Sequence, residues 1–464
     1  MDYSGLIPAL SLLIGGLLIF VLPLSRLKTL ILSTGLIILI GASLFGIPQQ
    51  ELFAQNYAWD GLSLYFSFLI LFSALMAALL GYSGELPQNV TYRKFVFLLF
   101  TLAAFLLILA GSQNLLYFLV LWSMIQVLFP FWLKEFDPKL SWNCLVLDLV
   151  SSTLFLTGAA LLFAISGAVN IIDIKTNLVI RFFTLAAPGK ILTVSLVLIT
   201  IGLMSKLGAF PLHFWLGTFH RGKNLLPYAI LSLLIRLGLL AFAIRFWLRG
   251  VALYLEEWQY ILFIGGVLSI LWGGLALIIY RRESRSWLYL DLIQLGFLLS
   301  GVAAASFQTL SGTLFFLWAY VFGFWGLILT FTYFCQPGFD FRLLFLRLKI
   351  NKALAIGLIF LVCSVVGFPI TAGFWGKYNL INALLKEKMW GLAIPGLVGT
   401  LLLLIYFGLI FRDKSSVQPA EIPQTGSSLQ RAGVFFCGLA LLAIGLFPEL
   451  ILKLVLDAAA SIPF

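Results

Sequence analysis

Charge is scarce in this 464-residue sequence: Asp, Glu, Lys and Arg make up 10% of it, against about a quarter in soluble globular domains. A water-soluble surface cannot be built from so few ionisable groups. Histidine and cysteine are rarer still, with two and four copies. Cys144, Cys335, Cys363 and Cys437 lie scattered in or beside apolar segments, without the paired spacing that ligates zinc, iron–sulfur clusters or haem. They read as small packing residues. No glycine-rich nucleotide loop precedes a soluble helix and there is no P-loop, so no nucleotide or redox centre is expected on this chain.

What is present is apolar, 62% of the residues being hydrophobic. Stretches such as Phe95–Leu133 and Leu292–Phe339 contain no charge, and each is long enough for two helices of about 20 residues. Period-two alternation is absent, which argues against a β-barrel. The sequence therefore predicts an all-α polytopic membrane protein of about fourteen transmembrane helices. The first apolar segment has no basic leader or small-residue cleavage site and is expected to remain as a helix. The last span is expected at 432–455. Expected divisions are a three-helix segment (1–93), two five-helix units (94–250 and 251–412), and a linker with a final helix (413–464).

The net charge of +11 would point to nucleic acid in a soluble protein; here the basic residues sit in short loops and encode orientation. Eighteen of the 29 lysines and arginines fall in one alternate set of loops and eight, among them Arg245 and Arg249, in the other. The richer set is expected in the cytoplasm, with both termini on the opposite side. Residues 167–190 mix apolar and charged positions and are expected to form an interfacial amphipathic helix.

Five charges are isolated inside apolar spans: Asp148, Lys206, Arg236, Asp291 and Lys377. A charge at bilayer depth costs roughly 2.5–3.5 kcal/mol on insertion scales, so such residues mark ion pathways by default. Two spans look broken, 190–219 at Pro211 and 353–386 at Gly367, Pro369 and Gly373. Proline removes a backbone donor, and the carbonyls it frees need protein or water in a cavity. The breaks fall in the seventh and twelfth spans, the offset that inverted five-helix repeats require. His213 and His220 lie beside the first break. Imidazole exchanges a proton near neutral pH, and a lysine can join it once desolvation disfavours its charged form. Arg236 keeps its proton, and serves as an electrostatic tuner or a clamp between helices. Asp291, about two turns beyond Arg281–Arg285, fits a surface salt bridge as well as a relay, and Asp148 is a similar case.

Lys206-Leu-Gly-Ala-Phe-Pro-Leu-His-Phe-Trp-Leu-Gly-Thr-Phe-His220 resembles the K-x-x-x-FP-x-H-x-WL-x-x-x-H signature of the antiporter-like membrane subunits of complex I and of the related Mrp-type cation/proton antiporters. Asp60-Gly-Leu-Ser-Leu-Tyr-Phe, Trp287-Leu-Tyr-Leu-Asp-Leu-Ile-Gln-Leu-Gly296 and Gly367-Phe-Pro-Ile-Thr-Ala-Gly-Phe-Trp-Gly-Lys377 resemble three further segments of that family. The resemblance implies two inverted five-helix repeats and a proton path through Lys206, Arg236 and Lys377, Arg236 replacing a lysine. It implies other membrane subunits and lipid as partners. It places NAD(P)H, iron–sulfur clusters and quinone on partner subunits, and the chain in a bacterial plasma membrane or thylakoid membrane. An Mrp-type Na+/H+ antiporter subunit is the alternative, and a non-pumping scaffold a third. Ser123 stands where the family carries a helix-five glutamate paired with the central lysine. The carboxylate is then expected from Asp148 or Asp291, or the chain is a structural subunit.

Overall fold

The computed structural model describes residues 4–53, 55–84, 86–185, 189–213, 225–283, 286–334, 341, 352–413 and 426–462. Among these residues the α-helices are α1 Ile7–Val21, α2 Arg26–Ser43, α3 Gly61–Tyr82, α4 Tyr92–Gly111, α5 Leu115–Leu133, α6 Pro138–Ser166, α7 Ile171–Leu185, α8 Lys190–Leu207, α9 Leu226–Gly250, α10 Leu255–Ile279, α11 Ser286–Ala303, α12 Phe307–Tyr333, α13 Lys352–Val366, α14 Ala372–Lys386, α15 Trp390–Asp413, α16 Ser428–Leu446 and α17 Glu449–Ala460. Among the described residues 13 helices are long and apolar enough to cross a membrane. The protein is an integral, multi-pass membrane protein. Helices α13 and α14, each of 15 residues, together fill the place of the twelfth expected span.

Burial sorts the helices. α9, α11 and α12 are buried along almost their whole length, whereas α1, α2 and α15 turn most of their surface outward. In lipid an outward leucine costs nothing, so helices are held together by close packing of small residues and by polar contacts. A glycine seam joins α10 to α11: a Cβ at Gly266 would lie 2.8 Å from Ser300 Oγ, and one at Gly296 would lie 2.9 Å from the Gly266 carbonyl oxygen.

Two expectations are corrected, and one small element is added. The final span does not run from 432 to 455: α16 stops at Leu446 and α17 starts after Pro448, because proline cannot continue the preceding ladder. α17 packs on α3 and α12; a Cβ at Gly61 would lie 2.4 Å from the Asp457 carbonyl oxygen. Between α2 and α3 the chain forms a small antiparallel pair, β1 (Gln50–Leu52) and β2 (Tyr57–Trp59), too short to show as alternation. Arg245 is not a loop cation: it is wholly buried within α9. The connection at 167–190 does contain a helix, α7.

Arg245 ties three helices at one level. Its two terminal nitrogens donate to the Asp60 carboxylate at 2.7 and 2.5 Å, one of them also to Ser63 Oγ at 2.7 Å, and Nε donates to the Ala110 carbonyl at 3.1 Å. Asp60 is in addition the N-cap of α3, accepting from the Ser63 backbone N–H at 3.0 Å. Burial works to raise the Asp60 carboxyl, but the Arg245 charge and the donors from Arg245 and Ser63 outweigh it, leaving the group below its ordinary value.

Removing one partner of a buried pair leaves an uncompensated charge, at a cost of about 3–5 kcal/mol. Arg245→Met is therefore expected to lower the thermal midpoint of the purified protein in detergent. Arg249→Met, which loses only the part-exposed contact to Glu51 at 3.3 Å, is expected to change stability by about 0–1 kcal/mol and to leave the midpoint nearly unmoved. A folded-state value below the unfolded one means that the Asp60 contribution is present above the ordinary carboxylate range and lost as pH falls through the lowered value. Wild type should thus lose more stability on acidification than Asp60→Asn, measured by thermal unfolding across the acid range.

Candidate functional site

Lys206 lies in the last turn of α8, opposite α6, and small residues decide that geometry. A Cβ at Gly158 would lie 2.8 Å from the Ser195 carbonyl oxygen, and one at Gly202 would lie 2.9 Å from the Phe155 backbone nitrogen. Ser195 Oγ donates to the Gly158 carbonyl at 2.8 Å. The two backbones therefore run antiparallel in near contact. One turn further along this register, Lys206 meets Ser152 and Asp148. Its ammonium donates to Asp148 Oδ1 at 2.7 Å and to Ser152 Oγ at 2.6 Å, and lies 4.5 Å from the Trp122 ring centroid.

Trp122 and Gln126, one turn apart on α5, complete the cradle. Trp122 Nε1 donates to Asp148 Oδ1 at 3.3 Å, and Gln126 Nε2 to Ser152 Oγ at 2.6 Å. The ammonium end is sealed and the carboxylate end is not: the Lys206 side chain is 1% exposed and that of Asp148 25%. Beside them is a cavity of about 40 Å³, room for two or three waters at about 10–15 Å³ each. Among the residues lining it, Gln126, Asp148, Ser151, Ser205 and Lys206 are polar. A proton or small cation arriving at the Asp148 carboxylate meets the Ser151 hydroxyl at 3.2 Å and the Lys206 ammonium at 2.7 Å, with the Ser152 hydroxyl on the far side of the ammonium.

Ser123 is not part of this cradle. It lies on the exposed face of α5 and its hydroxyl donates to the Val120 carbonyl at 2.8 Å. One residue is about 100° around a helix, so when Trp122 faces the lysine, Ser123 faces away. The acidic partner comes from α6 instead, as Asp148.

The two remaining cations meet different partners. Arg236 follows a π-helical stretch, Ile230–Ile235, within α9, a distortion frequent at functional sites that turns the following residues away from a regular 3.6-residue face. Leu231 and Ile235 wall the Lys206 cavity, while Arg236 Nη1 donates to both Asp291 oxygens at 2.9 and 3.0 Å and to Tyr320 Oη at 2.8 Å. Tyr320 in turn donates to Asp291 Oδ1 at 2.5 Å. Asp291 is buried within α11, which overturns its reading as a surface salt bridge with Arg281–Arg285. Arg281 and Arg282 pair with Asp413 instead, each at 3.3 Å.

Lys377 has no carboxylate within 4.0 Å among the described residues. Its ammonium donates to the Val365 and Val366 carbonyls at 2.7 and 3.1 Å, the orphan acceptors at the end of α13. A cation suits that negative helix end, and the Phe297 ring centroid lies 5.1 Å from it. The break is tight: Gly367 has φ +92°, Ile370 φ +76°, and a Cβ at Gly373 would lie 1.8 Å from the Ser364 carbonyl oxygen. Pro369 sits in the turn between the two helices.

α8 ends before Pro211, the expected point of the first break. Gly208, at φ +75°, ends α8 after Leu207, a left-handed glycine cap with proline soon after. His213 is buried, its ring centroid 5.5 Å from Phe210 and 6.4 Å from Tyr289; no hydrogen bond links it to Lys206 or Arg236 among the described residues. His220 lies outside the described residues. Sequence reasoning missed Trp122, Gln126, Ser152 and Tyr320. The signal for Ser152 was its i+4 spacing from Asp148, which puts both on one helix face.

Residues 112–403 match the family described as NADH:quinone oxidoreductase/Mrp antiporter, TM. The chain is 24% identical over 424 residues to NAD(P)H-quinone oxidoreductase subunit 2 of Prochlorococcus marinus, covering 88% of this chain and 82% of that protein. It is 26% identical over 415 residues to the protein of the same name from Gloeobacter violaceus, covering 86% and 80%. In fold it superposes on a chain of respiratory complex I from Thermus thermophilus with a TM-score of 0.80 at 22% identity, covering 98% of this chain and 100% of that one. A chain of the Mrp complex from Dietzia gives 0.82 at 17% identity, covering 100% and 98%.

Replacing Lys377 by Met keeps much of its bulk but leaves the Val365 and Val366 carbonyls without their donor, at about 1–3 kcal/mol for each unsatisfied group. Lys377→Met is expected to lower the thermal midpoint and to raise hydrogen exchange in α13. Lys377→Gln, which keeps a donor, should recover part of both.

Proposed function

Because this chain belongs to the NADH:quinone oxidoreductase/Mrp antiporter transmembrane family, we propose that it is the proton-translocating, antiporter-like membrane subunit of an NAD(P)H:quinone oxidoreductase complex. The observation that carries this reading is the Lys206–Asp148 pair: an ammonium sealed from solvent, shared between a carboxylate and a hydroxyl, in the last turn of α8 and beside a largely apolar cavity with five polar residues in its wall. A proton arriving at Asp148 neutralises the carboxylate and leaves the ammonium without its counter-charge, which favours release of the Lys206 proton; transfer of the Asp148 proton to the neutral amine then restores the carboxylate–ammonium pair, so one proton has entered and one has left. The two groups thus exchange charge in alternation. In this reading Arg236 keeps its proton, and with Asp291 and Tyr320 forms a fixed charge pair between α9, α11 and α12. Lys377 would complete the path at the second break.

Residues 94–250 and 251–412 are the two inverted halves, one break in each, and both termini lie outside the cytoplasm. Other membrane subunits cover part of the outward apolar surface and lipid the rest. NAD(P)H, iron–sulfur clusters and quinone reside on partner subunits, in a bacterial plasma membrane or thylakoid membrane. A scaffold without transport is the competing reading, favoured by Arg236 and Lys377 each being held by internal partners.

The test uses the assembled complex in sealed vesicles, driven by NAD(P)H and quinone, with a pH-sensitive dye inside. Asp148→Asn and Lys206→Ala are expected to abolish most acidification while the subunit still assembles; unchanged acidification in both would leave the scaffold reading. Gln126→Glu in the Asp148→Asn background should restore part of the signal, because Gln126 faces the cradle. Ser123→Glu should not, because it faces outward. Acidification that needs Na+ inside the vesicles would instead identify a Na+/H+ exchanger.

A further inference from the structure

At the ends of the first four spans lies a groove of about 440 Å³, bounded by the α1–α2 and α3–α4 connections and lined by Leu24, Arg26, Leu86, Val90, Tyr92 and Arg93, among others. Its size is that of a small-molecule site, about 300–1,000 Å³. None of the groups discussed above reaches it.

The charges in it have the wrong sign for their places. Arg26 is the first residue of α2 and Arg93 the second of α4, and neither helix has an acidic residue in its first turn. A helix N-terminus carries about half a positive charge and favours anions. Two helix starts and two guanidinium groups therefore converge on one groove. No carboxylate lies within 4.0 Å of either arginine among the described residues. Each guanidinium is nevertheless held in place. Arg26 donates to the Gly81 carbonyl at 3.1 Å and lies 5.3 and 5.8 Å from the Tyr82 and Tyr92 ring centroids. Arg93 donates to the Leu22 carbonyl at 2.6 Å. An arginine has five N–H donors in a fork suited to phosphate, and one hydrogen bond occupies one of them. Lys28 and Lys94, in the same first turns, add to the field.

We propose that this groove binds the phosphate of an anionic phospholipid. The position of the groove favours a lipid over a soluble anion. It lies where spans α1 and α2 end, and the outward surface beside it is apolar, with Leu22, Leu27 and Ile31 exposed by 45%, 54% and 59%. A headgroup between Arg26 and Arg93 would leave its acyl chains against those residues.

The experiment uses the full-length protein, delipidated in neutral detergent and titrated with dioleoyl phosphatidylglycerol, dioleoyl phosphatidylcholine or inorganic phosphate. Binding is read by native mass spectrometry and by thermal midpoint. Phosphatidylglycerol should bind and stabilise, while phosphatidylcholine and millimolar phosphate should do so weakly. At about fivefold per basic residue near an anionic surface, Arg26→Gln with Arg93→Gln should weaken phosphatidylglycerol about 25-fold. Arg26→Lys with Arg93→Lys should retain most of the preference, and Arg249→Gln, far from the groove in sequence and ion-paired elsewhere, all of it. Equal binding of both lipids by the wild type would overturn the proposal without any variant having to fold. Full stabilisation by inorganic phosphate would replace the lipid with a soluble anion. An undiminished preference in the double glutamine variant would place the lipid elsewhere.

Discussion

Among the described residues four cations, Lys206, Arg236, Arg245 and Lys377, lie buried within the apolar body of this protein, and each has to be answered by something it can touch, because hydrocarbon supplies no counter-charge. Arg245 is answered by a carboxylate at a helix start, Arg236 by a carboxylate and a phenol, Lys377 by two freed carbonyls, and Lys206 by a carboxylate shared with a hydroxyl. These answers fix which helices stand next to one another. They also differ in what they permit. A guanidinium does not release its proton in a protein, so the two arginine pairs are permanent. A lysine on carbonyls completes a helix end. Of these four, Lys206 alone combines a removable proton, a titratable partner and an adjacent cavity with polar groups in its wall.

The same economy explains why the breaks matter. A transmembrane helix can be interrupted only where its freed backbone groups find donors within the protein. At the second break Lys377 is that donor, so the interruption and the charge at that position are one feature. At the first, the left-handed Gly208 ends α8 directly after Lys206 and Leu207. The helix end and the charged pair lie within one turn of each other, and a movement of one displaces the other.

Much of this was legible in the sequence, for reasons that are local. Membrane spans are set by length and apolarity alone, so their number and most of their limits could be read directly. Lone charges stand out against an apolar background, which made Asp148, Lys206, Arg236, Asp291 and Lys377 visible. Their pairing was not, because sequence spacing does not say which helix lies opposite. Asp148 and Asp291 were equal candidates until the glycine contacts of α6 with α8 chose between them. Ser123 follows Trp122 by one residue, about 100° around α5, and faces outward, which its place in the motif did not show. Arg245 was mistaken for a loop residue because it sits near the end of an apolar run, and the π-helical turns of α9 shift facing in a way no 3.6-residue period anticipates. The division between α16 and α17 followed from Pro448, a signal present but overridden by continuous hydropathy.

The glycine seam between α6 and α8 has a mechanical consequence. Backbone against backbone leaves no compliant side chains between the two helices, so they act as one stiff slab, with Asp148 and Lys206 mounted on the same plate. On the other side the cradle is closed by α5 through Trp122 and Gln126, buried side chains each tied to it by one hydrogen bond. The compartment therefore has one wall of backbone against backbone and one wall of side chains. Opening it from the α5 side means breaking two hydrogen bonds, whereas opening it from the other side means separating two helices in near contact.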